Sequence, residues 1–170
     1  MSFDPRRILE VLARHGVDYI MVGGLAGALH GSPISTDDLD IVPLLKRSNL
    51  DALAEALNEL NAKLAVTDEP EGITIDFTGQ HLQKWIVEFR FLNVLTDYGR
   101  LDLLHRPGGT EGYHDLSPGS EEMDVGDIRI RVAGLEDIIR SKEAVGRQRD
   151  LEHLPTLRLV LERKEKRGDT

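Results

Sequence analysis

The chain contains no cysteine. Disulfide scaffolds, thiol nucleophiles, iron–sulfur sites and cysteine-based zinc sites are thereby excluded. Aromatic residues make up only 5% of the 170 residues, so the core has to be aliphatic. No apolar run approaches the roughly 18 residues of a membrane span. The opening MSFDPRRILE has the features of neither a signal nor a transit peptide, and the expected location is the cytoplasm. Positive charge is also short, with 21 basic against 30 acidic residues and a net charge of −9. That argues against tight, non-specific binding to nucleic acid through a broad positive field, while leaving room for a local basic patch. It suits a carboxylate-rich site that takes a divalent cation. None of the six histidines pairs with another at i, i+4 around a glutamate, which argues against a zinc hydrolase. No G-x-x-x-x-G-K-[ST] loop is present, so a P-loop NTPase is out.

What remains reads as one domain over 1–170, with a core at about 5–133, C-terminal helices at about 134–164 and a charged, frayed tail at 165–170. Asp4 and Pro5 open a helix that Gly16 closes. Tyr19–Val22 is a short buried strand ending at Gly23-Gly24, from which a small helix springs at 25–29. Asp38–Pro43 alternates as a strand, and Ser48 is expected to cap a helix carrying Leu50, Leu53, Leu57 and Leu60. Further strands are expected at 63–67 and 73–77, and a single helical turn at 80–84. A hairpin at 86–95 and 100–105 should turn about Asp97-Tyr98-Gly99. A loop is expected over 106–120, then a second hairpin at 122–125 and 128–132 about Gly126-Asp127. Two helices, 135–145 and 148–164, close the chain, the last kinked or restarted at Pro155. The fold class is α+β, with a mixed, α/β-type sheet.

The chemistry concentrates in Gly23-Gly24, a gap of thirteen residues, and then Asp38-Leu39-Asp40. Strand alternation places Asp38 and Asp40 on one face, about 7 Å apart, with Leu39 and Ile41 on the other. Two parallel carboxylates repel, and a divalent cation with a taste for oxygen, Mg²⁺ or Mn²⁺, removes the repulsion. The glycine pair opens a helix where backbone can approach an anion. Phosphate beside a carboxylate-held metal suits phosphoryl or nucleotidyl transfer. A third carboxylate, Asp102 in Arg100-Leu101-Asp102-Leu103-Leu104, faces away from the leucines that flank it.

These residues resemble the pattern of the nucleotidyltransferase (polymerase-beta-like) superfamily: a Gly-Gly turn, a D-x-D strand and a later single-Asp strand. The segment VGGLAGALHGSPISTDDLDIV is similar to the minimal nucleotidyltransferases of the AbiE/MenT toxin type, with Thr36-Asp37-Asp38 in their Thr-x-Asp position, and Lys142 to Asp150 resembles their K-x-x-x-x-R-x-(K/R)-D segment. The resemblance implies the nucleotidyltransferase fold, with C-terminal helices packed on the sheet. It implies Mg²⁺-dependent transfer of NMP from an NTP to a hydroxyl, for some members on tRNA, with a cognate antitoxin for those that are toxins. By the same resemblance Asp38 and Asp40 hold metal, and Asp102 holds metal and helps deprotonate the acceptor. Lys142 touches the triphosphate and Asp150 supports the site. Gly23, Gly24, Thr36 and Arg149 complete the expected nucleotide-binding set.

Plainer readings stand beside these. D-x-D alone is as often a solvated strand face, Gly-Gly alone a tight turn, and Lys142 a snorkelling lysine, though it falls on the face set by Leu135, Ile138 and Ile139. Asp150 also reads as an N-cap, and Arg140, Arg147, Arg149 and Arg158 as a basic strip or a solvated face paired with glutamates. Two other functions remain in view: a catalytically silent module of this fold, and a small-molecule nucleotidyltransferase acting on an antibiotic.

Overall fold

A computed structural model describes residues 2–168. Its centre is a mixed eight-stranded sheet whose strands lie side by side in the order 69–74, 63–66, 91–96, 99–104, 38–43, 19–22, 128–132 and 121–125. Helix α1 (Pro5–Arg14) starts where expected, the Asp4 side chain accepting from the Arg7 N–H. Strand β1 (Tyr19–Val22) leads directly into α2 (Gly23–Leu29), so the glycines are the first two residues of that helix. Strand β2 (Asp38–Pro43) pairs antiparallel with β1, setting Val22 against Asp40.

Between β2 and the strand that completes the site lie α3 (Arg47–Glu59), β3 (Lys63–Val66), β4 (Glu69–Thr74), α4 (Gly79–Phe89) and β5 (Phe91–Thr96). Three boundaries differ from expectation here. Ser48 lies inside the first turn of α3, whose N-cap is Lys46. Residues 86–89, expected as the start of a strand, continue α4 instead: Thr78 caps it, Leu82 and Ile86 supply its buried face at i, i+4, and Arg90 ends it in a left-handed turn at φ 65°. Strand β4 arrives early, forming a tight hairpin with β3 at the sheet edge, where Glu69, Pro70 and Glu71 are exposed. Such residues discourage pairing with another chain.

Strand β6 (Gly99–Leu104) lies parallel to β2, and β5 pairs antiparallel with β6. The expected loop at 106–120 contains a short helix, α5 (Tyr113–Leu116), and a 3-10 turn. Strands β7 (Glu121–Val125) and β8 (Ile128–Val132) form the second hairpin, and β8 runs parallel to β1. Helix α6 (Leu135–Val145) leaves β8 at the same end of the sheet at which α2 leaves β1. Helix α7 (Gln148–Arg167) passes through Pro155 without interruption. It extends three residues into the stretch expected to fray, just past Lys164, which is tied to Glu121 at 2.7 Å; residues 169–170 lie outside those described.

The core is aliphatic, as the scarcity of aromatics requires. Leu39, Ile41, Leu101 and Leu103 of the two central strands are fully buried, in one cluster with Leu50, Leu53 and Leu57 of α3. At roughly 25 cal/mol per Å² of apolar surface, these leucines and isoleucines hold β2 against β6 and leave the alternate residues of both strands for the other face. Among the described residues no helix is long and apolar enough to cross a membrane.

Candidate active site

Parallel pairing of β2 with β6 sets Asp38 beside Arg100 and Asp40 beside Asp102. Since Leu39 and Leu101 point into the core, all three carboxylates face the other way. Asp38, Asp40 and Asp102 each offer an oxygen, and these atoms lie within 4.8 Å of one another. They line a cleft of about 540 Å³ whose far wall is α6, through Ile138, Ser141, Lys142 and Val145.

The carboxylates feel one another. Burial, reinforced by the charges of Asp38 and Asp102, pushes the Asp40 carboxyl from 3.8 up to about 7. Burial also raises Asp102, which is 8% exposed, against the opposing pull of a 2.8 Å ion pair from Arg100 Nε. Asn93, opposite Asp102 on β5, completes this arrangement: its amide nitrogen donates to Asp102 Oδ1 at 3.2 Å and its oxygen accepts from Arg100 at 2.7 Å. Asp38 accepts a 2.6 Å hydrogen bond from the Thr36 hydroxyl. Three hard oxygen donors crowded within 4.8 Å, one of them driven toward protonation by burial and then by the charges of the others, form a donor set that fits Mg²⁺ or Mn²⁺.

The glycine pair does something the sequence did not disclose. Gly23 has φ +74°, and a Cβ there would fall 2.1 Å from Asp40 Oδ2. A Cβ on Gly24 would fall 2.9 Å from the Thr36 Cβ. The absence of side chains at 23 and 24 is therefore what admits Asp40 and Thr36 to the site.

Lys142 and Asp150, expected from the chain's C-terminal part, are found together. Lys142 Nζ lies 3.2 Å from Asp150 Oδ1, and Arg147 Nε lies 2.8 Å from Oδ2. Asp150 is 5% exposed and sits in the first turn of α7, whose N-cap is Arg147, so it braces Lys142 and does not cap the helix. Lys142 lines the cleft and its charge acts on Asp40. Arg149 also lines the cleft and is exposed. The remaining arginines of the expected strip are used elsewhere: Arg140 pairs with Asp115 and Asp137, and Arg158 with Glu143. Asn93 and Arg100 were not singled out from sequence, although alternation along β6 puts Arg100 on the face of Asp102.

No protein-family model matches the chain, and no curated protein matches it in sequence. Solved structures do match it in shape. The lincosamide antibiotic adenylyltransferase LnuA, solved with lincomycin bound, is similar over 94% of this chain and 99% of its own, at 14% identity and a TM-score of 0.61. A candidate nucleotidyltransferase of Thermotoga maritima is similar over 94% of this chain and 91% of its own, at 19% identity and a TM-score of 0.53. The fold is the nucleotidyltransferase fold. Within it, the cleft of this chain is bounded by the glycine turn between β1 and α2, the carboxylates of β2 and β6, and the inner face of α6.

Proposed function

We propose that this protein is a Mg²⁺- or Mn²⁺-dependent nucleotidyltransferase that moves NMP from an NTP onto a hydroxyl of RNA, with tRNA as the expected acceptor, and that it acts as the toxin of a toxin–antitoxin pair held in check by a cognate antitoxin. The observation that carries the reading is the convergence of Asp38, Asp40 and Asp102 within 4.8 Å, at the floor of a cleft large enough for a nucleotide. In the proposed reaction the acceptor oxygen bonds to the α-phosphorus, the bond to the bridging oxygen breaks, and pyrophosphate leaves. Asp38, Asp40 and Asp102 hold the metal, which when bound neutralises phosphate charge and acidifies the acceptor hydroxyl. Gly23 and Gly24 present backbone N–H groups to the phosphates, Thr36 fixes Asp38, and Arg100 and Asn93 fix Asp102 where the hydroxyl proton departs. Lys142, aligned by Asp150, offers its ammonium to the triphosphate, and Arg149 adds positive charge at the mouth. The likeness to LnuA favours a second reading, in which the hydroxyl belongs to a small molecule such as an antibiotic.

The test is incubation with α-labelled NTPs, Mg²⁺ and total RNA. Label should pass to RNA with wild type and not with Asp38→Ala or Asp40→Ala. Overexpression should arrest growth and extend tRNA 3′ ends, again only with Asp40 intact. A toxic phenotype unchanged by Asp40→Ala would identify a silent binding module, and transfer to a small hydroxyl compound but never to RNA would establish the second reading.

A further inference from the structure

Two of the chain's four phenylalanines are not in the core: Phe89 is 55% exposed and Phe91 54%. In a chain so poor in aromatics, an exposed ring that lines a functional cleft calls for a ligand. Phe91 lines the cleft itself. It shares a face of β5 with Asn93, which is paired with Asp102, and its own neighbour across the strands is Leu104. Phe89 ends α4, and Arg90 stands between the two rings in the left-handed turn. The Arg90 carbonyl accepts from the His105 N–H at 2.8 Å, which joins this turn to the end of β6 and to Arg106. Arg90 and Arg106 are both exposed. Arg106 pairs with Glu111 across the surface at 2.9 Å, Glu88 lies at the base of the turn, and Arg90 forms no ion pair among the described residues. In a chain of net charge −9, Arg90, which follows Phe89 and precedes Phe91 in the chain, supplies local positive charge next to the exposed ring of Phe91.

The sheet order says what the surface faces. From β1 through β2 and β6 to β5 the site presents the glycine turn, the paired carboxylates, Asp102, and then Asn93 and Phe91. Three strand spacings of about 4.8 Å put the β5 end about 14 Å from the glycine end. In-line displacement requires the attacking and leaving oxygens on opposite sides of the phosphorus. With pyrophosphate leaving toward Gly23, Gly24 and Lys142, the acceptor enters over Asp102 from the side of Phe91.

We infer that Phe91, with Phe89, Arg90 and Arg106 around it, is the docking surface for the acceptor strand: an unpaired RNA end whose terminal bases stack on the exposed rings and whose phosphates meet the arginines. The inference rests on the proposed transfer reaction for its direction, but the surface can be tested without that reaction. Stacking needs bases free of a duplex, and arginine beside an aromatic ring suits both base and phosphate.

The experiment measures fluorescence anisotropy of a fluorescein-labelled single-stranded RNA oligonucleotide of mixed sequence against the full chain. In parallel, the rise in melting temperature on adding MgATP reports nucleotide binding. Phe91→Ala should weaken RNA binding by about 5- to 150-fold, and Phe91→Tyr should restore it. Arg90→Ala should weaken binding and reduce the slope of log affinity against log salt by about 0.7. In all three variants the MgATP shift should match wild type. RNA binding that is absent in wild type, unchanged in Phe91→Ala, or lost together with the MgATP shift overturns the inference. Wild type that binds RNA through Phe91 but transfers no nucleotide upholds the surface and refutes the proposed catalysis.

Discussion

Replacing Asp40 by asparagine should stabilise the metal-free protein at the same time as it abolishes nucleotide transfer. In the unfolded chain Asp40 ionises near 3.8, and in the folded cleft, under burial and the charges of Asp38 and Asp102, near 7. Below pH 3.8 both states are protonated and nothing is lost. As pH rises toward 7 only the unfolded state ionises, so stability falls, and above 7 the loss is complete and constant. At 1.36 kcal/mol per pH unit that interval corresponds to about 4 kcal/mol. An amide escapes the charge penalty but still has polar hydrogens to satisfy, at about 1–2 kcal/mol. The net gain for Asp40→Asn at pH 8 is then about 2–3 kcal/mol. For a domain of this size it appears as a rise in melting temperature of roughly 4–12 °C. Differential scanning calorimetry in EDTA at pH 4 and pH 8 reads it directly. The gain should be present at pH 8 and replaced by a small loss, about 1 kcal/mol, at pH 4, where the charge penalty has almost vanished and the amide's cost remains, and Mg²⁺ should raise the melting temperature of wild type at pH 8 more than that of the variant. A variant no more stable than wild type at pH 8, or a gain of equal size at both pH values, would refute the account of the crowded carboxylates.

The remaining predictions concern the elements that position the site. Gly23→Ala forces a side chain into a left-handed conformation, at about 1–2 kcal/mol, and drives its methyl into Asp40; calorimetry should show a loss of at least that size, and the Mg²⁺-dependent shift should shrink. Asp150→Ala leaves the half-buried Lys142 ammonium without its carboxylate and should cost about 1.5–3 kcal/mol in urea unfolding, whereas Lys142→Met leaves Asp150 paired with Arg147 and should cost less while weakening NTP binding more.

Much of the site was readable because it depends on strand alternation, which has a period of two and little ambiguity. Asp38, Asp40 and Asp102 face one way because their leucine neighbours must face the other, and the structure adds only that β2 and β6 are adjacent and parallel. Residues 86–89 go against the strand expectation because Ile-Val-Glu-Phe is as acceptable in a strand as in a helix, and the Thr78 cap lies well upstream of it. The roles of Arg100 and Asn93 were hidden because they depend on which strands pair, and no local pattern states that. The glycine pair was read as room for a ligand; its contact with Asp40 and Thr36 is a tertiary fact. Pro155 was expected to disturb α7, yet the helix runs through it.

The parallel seam between β2 and β6 also dictates when the site can exist. Two helices and three strands intervene in the chain between its halves, so no local hairpin can bring them together. Ordering that much polypeptide precedes any reward from the contact. Under the proposed function, a cation held by these carboxylates would meet its third ligand only after the central strands have docked, and would act as a lock that slows opening and not as a seed that speeds assembly.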